Sequence, residues 1–366
     1  MGKITLGEVA IESKATWKSD KVGVPIVGLE HLEPGEITLS NWEIDSENTF
    51  TKKFSKGQVL LGRRRVYLRK AVIAPVDGIC SGDITVIEAI PGKILPELLP
   101  FVIQNDKFFD YAVQGSAGSL SPRVKWEHLK KYSFELPSID EQKILANKLW
   151  AAYRLKESYK KLLSATDEMV KSQFIEMFEG DKYPRISLDA IADEWLKGQA
   201  FKKDEICENG DKHCIHYGEL FTKYGPVIKE VVSKTSVDLK KPSKNGDILF
   251  PASDVTPNGL ARCSMLPYDN VVLGGDIIVL RPKEGYSPAY LSYAINQQTT
   301  QLLARVNGGL VKHLSAKGLK TVEIPIPSKE KQEEYIRIAE QADKSKFELR
   351  KSIEAIDAVI KSLING

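Results

Sequence analysis

Between Asp140 and Phe178 the chain carries 39 residues without a proline or a glycine. Apolar or small side chains recur at Leu145, Leu149, Ala152, Leu155, Tyr159, Leu162, Thr166 and Met169, in steps of three and four. That spacing is a helical seam of near-heptad period. At ~1.5 Å per residue such a rod reaches roughly 58 Å, far beyond the usual globular helix. An amphipathic rod of this length needs a partner for its seam. The partner is found in the same chain, where Lys329 to Ile364 repeats the pattern at Ile338, Ala342, Ser345, Leu349, Ile353, Ile356, Ile360 and Leu363. The irregular step from Leu349 to Ile353 predicts a local change of winding.

Both rods start from the same signal. The first is preceded by Phe134-Glu-Leu-Pro137-Ser-Ile-Asp-Glu-Gln142 and the second by Ile324-Pro-Ile-Pro327-Ser-Lys-Glu-Lys-Gln332. Pro137 and Pro327 lie 190 positions apart, as do Gln142 and Gln332. A strand stopped by proline, a cap at Ser138 or Ser328, and Glu141 at the third helical position of the first copy form a physical helix-start signal.

The rods divide the chain into segments 1–139, 140–180, 181–327 and 328–366, and the two globular segments read as distant copies. Ile4-Thr-Leu-Gly-Glu-Val-Ala10 matches Ile186-Ser-Leu-Asp-Ala-Ile-Ala192, and Lys56-Gly-Gln-Val-Leu-Leu61 matches Asn245-Gly-Asp-Ile-Leu-Phe250. Ile79-Cys-Ser-Gly-Asp-Ile-Thr-Val86 matches Val272-Leu-Gly-Gly-Asp-Ile-Ile-Val279. Inside each copy, short β-rich runs alternate with turn signals, and helices are predicted near Pro96–Asn105 and Pro288–Asn296. The fold expected is mixed α/β: two globular α/β domains separated by two long antiparallel helices in a coiled coil, with a pseudo-twofold internal repeat.

Bulk properties narrow the function. No apolar run approaches the ~18 residues that span a bilayer. Met1-Gly2 is followed by Leu6 where a myristoylation signal has Ser or Thr, and the start has no signal-peptide core. Cys80, Cys207, Cys214 and Cys263 are sparse and unpatterned, as in a cytoplasmic chain. The formal net charge of +3 is spread evenly: segment 1–139 has 18 basic and 17 acidic side chains, and segment 181–327 has 19 and 17. A nucleic-acid role therefore has to rest on local clusters.

The strongest cluster is Arg63-Arg-Arg-Val-Tyr-Leu-Arg-Lys70, in which Arg63, Arg64, Arg65, Arg69 and Lys70 surround Tyr67. Arginine pairs with phosphate or forks onto a guanine edge, and tyrosine stacks or donates; a solvated charged hairpin is the plainer reading. Gly115-Ser-Ala-Gly-Ser119 before the first rod offers Ser116, Ser119, Arg123 and Lys125, and backbone amides of such a loop can approach a phosphate. In the second copy Asn307, Lys312 and His313 stand there, unless both are ordinary connecting loops. Where the first copy has its arginines, the second has a polar stretch with Ser253, Thr256, Asn258 and Arg262, so the copies should read different bases. Cys207, His213, Cys214 and His216 fit no common zinc spacing. Methyltransferase, phosphate-loop, metalloprotease and hydrolase-elbow motifs are absent, and Asp77, Asp83 and Glu88 are read as turn and strand-edge carboxylates. No catalytic, cofactor or metal residue is assigned.

The succession of globule, rod, globule and rod, with Leu136-Pro-Ser-Ile-Asp-Glu-Gln142 leading into the first rod, resembles the specificity subunit of type I restriction–modification systems. That family often has two prolines where each copy here has one. Arg63–Lys70 with Asp77–Asp83 is also similar to a stretch of some target-recognition domains of the family. The resemblance implies two target-recognition domains, each reading one half of a split double-stranded DNA sequence, and rods that set the spacing between halves. It further implies a non-catalytic, cytoplasmic subunit scaffolding two methyltransferase subunits and restriction subunits, with S-adenosylmethionine, ATP and Mg held by those partners. The competing expectation is a coiled-coil adaptor that binds proteins without reading DNA.

Overall fold

A computed structural model describes residues 2–180 and 182–365; Met1, Gly366 and the expected start of the second globular segment at 181 lie outside them. The fold is mixed α/β and divides into two compact units. One runs to Lys161 and takes in the chain again from Arg350; the other is Leu162–Leu349. The two long helices, Ile139–Phe178 and Lys329–Asn365, each contribute to both units.

In the first unit, Ala10–Glu12, Ile84–Ala89, Val59–Gly62 and Ala71–Ile73 form a four-stranded antiparallel sheet in that order. A second sheet orders Glu43–Ile44, Pro25–Val27, Gly78–Cys80 and Lys52–Phe54, with Pro25–Val27 parallel to Gly78–Cys80. Gly2–Thr5 pairs with Ser133–Leu136, the strand that Pro137 ends. The core gathers Leu6, Val9, Phe101, Phe108 and Phe109 with Ala146, Leu149 and Tyr153 of the first rod and Ile360 of the second. Predicted helix Pro96–Asn105 is found as Leu99–Ile103.

The second unit repeats the plan. Ala192–Lys197, Ile277–Pro282, Asp247–Pro251 and Ser264–Leu266 form its antiparallel sheet. A smaller sheet joins Ser233–Thr235, Lys212–Ile215 and Val272–Leu273, the last two parallel. Arg185–Ser187 pairs with Glu323–Pro325, the counterpart of the strand pair before the first rod. Helix Pro288–Gln297 starts at a Ser287 cap and buries Tyr290, Leu291, Tyr293, Ala294 and Ile295 against Phe174, Phe178, Tyr335, Ala339 and Ala342 of the rods.

The rod starts are built as their chemistry requires. Ser138 Oγ accepts from the Glu141 amide at 3.4 Å, and the Ser138 amide donates to Glu141 Oε2 at 2.9 Å, a reciprocal capping box. The hydrogen bonds from Ser138 hold the Glu141 carboxyl below its usual range. Gln142 and Gln332 are buried clamps: the Gln142 amide donates to Pro137 O at 3.0 Å and that of Gln332 to Pro327 O at 2.9 Å. Gln142 Oε1 also accepts from the Leu95 amide at 2.9 Å, tying the first rod to its globule.

Within each unit the two rods run antiparallel. In the second, Phe174 stacks edge-on with Tyr335 at 5.3 Å between centroids, while Lys346 pairs with Asp167 at 2.9 Å. In the first, Lys156 pairs with Asp357 at 2.7 Å. The seam expected for the second rod is half-buried or buried, but that of the first needs correction. Leu155, Leu162 and Met169 are 45, 50 and 46% exposed. Leu149 of the expected seam is buried and Leu145 and Ala152 pack on the core, but further along the covered face shifts to Tyr153, Lys156, Val170, Phe174 and Phe178, continuing the line of Gln142 and Ala146. The helix bears two apolar stripes, and the aromatic one wins because Tyr153, Phe174 and Phe178 bury more surface than Leu155, Leu162 or Met169.

Candidate nucleic-acid interface

The first copy's basic stretch leaves the central sheet at Gly62 and turns at once. Val66–Leu68 is a single 3-10 turn flanked by Arg65 at φ 52° and Arg69 at φ 53°, both left-handed. Two non-glycine residues in that region are held there by their surroundings. The Arg65 amide donates to Pro122 O at 2.7 Å, and the Val124 amide to Arg63 O at 3.0 Å. Arg64 bridges Arg123. The arginine stretch and the Gly-rich loop, read separately in the sequence, are thus neighbouring strands of one small platform.

The platform's charge is less free than its composition suggests. Arg123 Nε donates to Asp83 Oδ1 at 2.7 Å and Nη2 to Oδ2 at 3.1 Å, while Arg64 lies 3.6 Å from Asp83 and donates to Ser121 Oγ at 3.1 Å. The hydrogen bond from Arg123, aided by the Arg64 and Arg63 charges, holds the Asp83 carboxyl below the usual range. Arg69 is turned away onto Asp110 at 2.8 Å and onto Asp106, and Lys70 Nζ donates to Leu29 O at 2.9 Å. Arg65, Tyr67, Ser119 and Lys125 are exposed, Arg63 is partly covered, and Ser116 Oγ donates to Ala112 O at 3.2 Å. The structure therefore groups Arg63, Arg64, Arg65 and Arg123, with Ser121, and sets Arg69 and Lys70 in other bonds. Asp77 accepts from the Lys56 amide and Glu88 from Gln58, in keeping with turn and edge roles.

The second copy has the same platform with other side chains. Ser253–Asp254 pairs with Lys312–His313, and the Leu314 amide donates to Ala252 O at 2.9 Å, as Val124 does to Arg63. Ser253 Oγ lies 3.1 Å from His313 Nδ1. Thr256 Oγ1 donates to Asp254 Oδ2 at 2.8 Å, Asn258 is exposed on the short helix Pro257–Leu260, and Lys312 Nζ donates to Gly308 O at 2.9 Å. Arg262 donates to Phe221 O at 3.0 Å.

The two loops are closed alike. Ala117 and Arg123 exchange both backbone hydrogen bonds at 3.1 and 2.9 Å; Asn307 and His313 do the same at 3.0 and 2.7 Å. Gly118 at φ 119° and Gly308 at φ 112° make the turn in a region open to glycine. Sequence reasoning named the polar and basic members of these loops and passed over their apex residues, Leu120 and Leu310, although the 190-residue offset of the rod starts pairs them too.

Of the Cys207, His213, Cys214, His216 group, Cys214 is buried in the strand Lys212–Ile215 and His216 Nδ1 accepts from the Gly218 amide at 3.3 Å; among the described residues no three such side chains are grouped as metal ligands would be. Among the described residues no helix is long and apolar enough to cross a membrane.

Comparison with known proteins finds a family model and solved structures similar to this chain. Residues 186–357 match the family model of the type I restriction modification DNA specificity domain. The EcoDI type I restriction enzyme specificity subunit of Escherichia coli is 23% identical over 158 residues, which are 41% of this chain and 35% of that protein, so the match spans about a third of the relative's length. In fold, the chain is similar to the type I restriction–modification S subunit of M. genitalium, with a TM-score of 0.61 and 14% identity over 99% of this chain and 94% of that one. A chain from a structure of type I R-M complex assembly and conformational transition gives a TM-score of 0.53 and 17% identity over 100% and 97%. The second copy and most of the second rod thus match the type I restriction modification DNA specificity domain, and the whole chain is similar in fold to the two solved chains.

Proposed function

We propose that this chain is the DNA-reading, non-catalytic subunit of a type I restriction–modification assembly, that it acts in the cytoplasm, and that its two globular segments, 1–139 and 181–327, each recognise one half of a bipartite duplex target. The observation that carries this is the pair of matching platforms. Each sets a short strand leaving the central sheet against the Gly-turned loop before a rod, and their side chains differ, arginine-rich in one and Ser, Thr, Asn and His in the other. A shared backbone with divergent polar side chains suits two readers of different base edges. In this reading Arg63, Arg64, Arg65, Tyr67, Ser116, Ser119, Arg123 and Lys125 serve the first half-site, with Arg69 and Lys70 bracing the turn. Ser253, Thr256, Asn258, Asn307, Lys312 and His313 serve the second, with Arg262 bracing it.

The segments 140–180 and 328–366 act as spacers whose outer faces receive two methyltransferase subunits, with restriction subunits joining the assembly. S-adenosylmethionine, ATP and Mg belong to those partners, and methylation of a base requires that base to leave the stack. A gel-shift with a randomised duplex library, with and without the methyltransferase partner, tests the reading. Retention of a discrete set of bipartite sequences is expected. Binding of the partner with no duplex retained under either condition would instead favour a protein-binding adaptor.

A further inference from the structure

We infer that Leu120 and Leu310 are DNA wedges, apolar side chains that enter between neighbouring base pairs of the half-site each platform reads; the inference rests on the DNA-reading proposal. Leu120 is 88% exposed and Leu310 is 91% exposed, the two highest values among the described large hydrophobic residues. They stand 190 positions apart, the same offset as the rod starts, each at the midpoint of a loop closed by two backbone hydrogen bonds. Apart from the turn glycines Gly118 and Gly308 the two loops have diverged, Ser-Leu-Ser-Pro-Arg in one and Gly-Leu-Val-Lys-His in the other, yet both place leucine at the apex.

Neither side chain joins a core, so the fold does not explain them. The base of each loop does indicate an occupant. Exposed Arg65 and Lys125 flank the first and Lys312 the second, while Arg123 is paired with Asp83, so each apolar apex rises from a collar with cationic members. A polyanion with an apolar interior, duplex DNA, matches both parts: phosphates meet the collar and unstacked bases meet the leucine. An apolar pocket on a protein partner would match the leucine alone.

The test uses the full chain with its methyltransferase partner and duplexes recovered from a randomised library by the wild type, with 2-aminopurine placed at successive steps of each half-site. We expect a fluorescence rise at one step of each half-site. Leu120→Ala should abolish the rise in one half-site only and Leu310→Ala in the other only. Each should weaken binding on the order of tenfold, the scale set by burying one leucine, with the salt dependence unchanged because no phosphate contact is lost. Leu120→Met should retain both signals.

No fluorescence rise, or a rise that survives both alanine variants, overturns the wedge. Weaker binding to the methyltransferase with unchanged DNA affinity overturns it too and makes the loops protein contacts. Failure of the wild type to retain any duplex sinks the DNA-reading proposal itself, whereas normal retention with indifferent variants sinks only the wedge.

Discussion

Arg65 and Arg69 share a left-handed backbone and an arginine side chain, but their surroundings separate them. Arg69 is spent on two aspartates, while Arg65 is exposed beside the loop strand. Arg65→Ala should therefore lower DNA affinity and reduce the salt slope by about one, and Arg69→Ala should leave the slope nearly unchanged, read from binding isotherms at several salt concentrations. Asp83 sets a pH limit on the same platform. Its folded pKa is lowered, so the tie to Arg123 is fully present above the ordinary carboxylate value near about 4 and is lost as the pH falls through the lowered folded value. Amide exchange in 117–124 should quicken over that acid range, and in Asp83→Asn already at neutral pH. Thiols separate as well: burial pushes Cys80, Cys214 and Cys263 up to about 12, whereas Cys207 is exposed. A thiol reagent at mildly alkaline pH should label Cys207 alone until the chain is denatured. The cationic stretch was legible in the sequence. Its neutralising carboxylates were not, because Asp83, Asp106 and Asp110 come from remote positions that only the fold brings near.

At the scale of elements, the rods and their starts could be read in advance because their chemistry is local. Proline ends the strand, serine caps the helix, Glu141 closes the capping box, and 36 residues or more follow without a breaker. Which stripe of the first rod is covered could not be read, since two apolar stripes satisfy the same period. The outcome can be checked by denaturant unfolding. Phe174→Ala removes a fully buried ring packed on Phe178 and Tyr335 and should cost about 3–5 kcal/mol. Leu162→Ala, on the half-exposed stripe, should cost less than about 1 kcal/mol. The loops before the rods were legible as flexible and polar, but their closure into platforms depends on pairing with residues some sixty positions earlier in the chain, Arg64 with Arg123 and Ser253 with His313.

At the scale of the whole molecule, the repeat announced by the 190-residue offset reappears as two units of like topology. The proposed function predicts that deleting the chain from its host removes one bipartite methylation pattern. Replacing 181–327 with the equivalent segment of a type I specificity subunit should, on that proposal, change one half of that pattern, as read by methylome sequencing.

The first unit is not made from one continuous stretch. Its core closes over Ile360, and Asn105 Nδ2 donates to Ile364 O at 2.8 Å. On the ribosome the opening globule must therefore wait, its apolar surface uncovered, while nearly two hundred further residues are made. The second unit, Leu162–Leu349, has all its parts before that wait is over, so of the two units the one translated first is the one completed last.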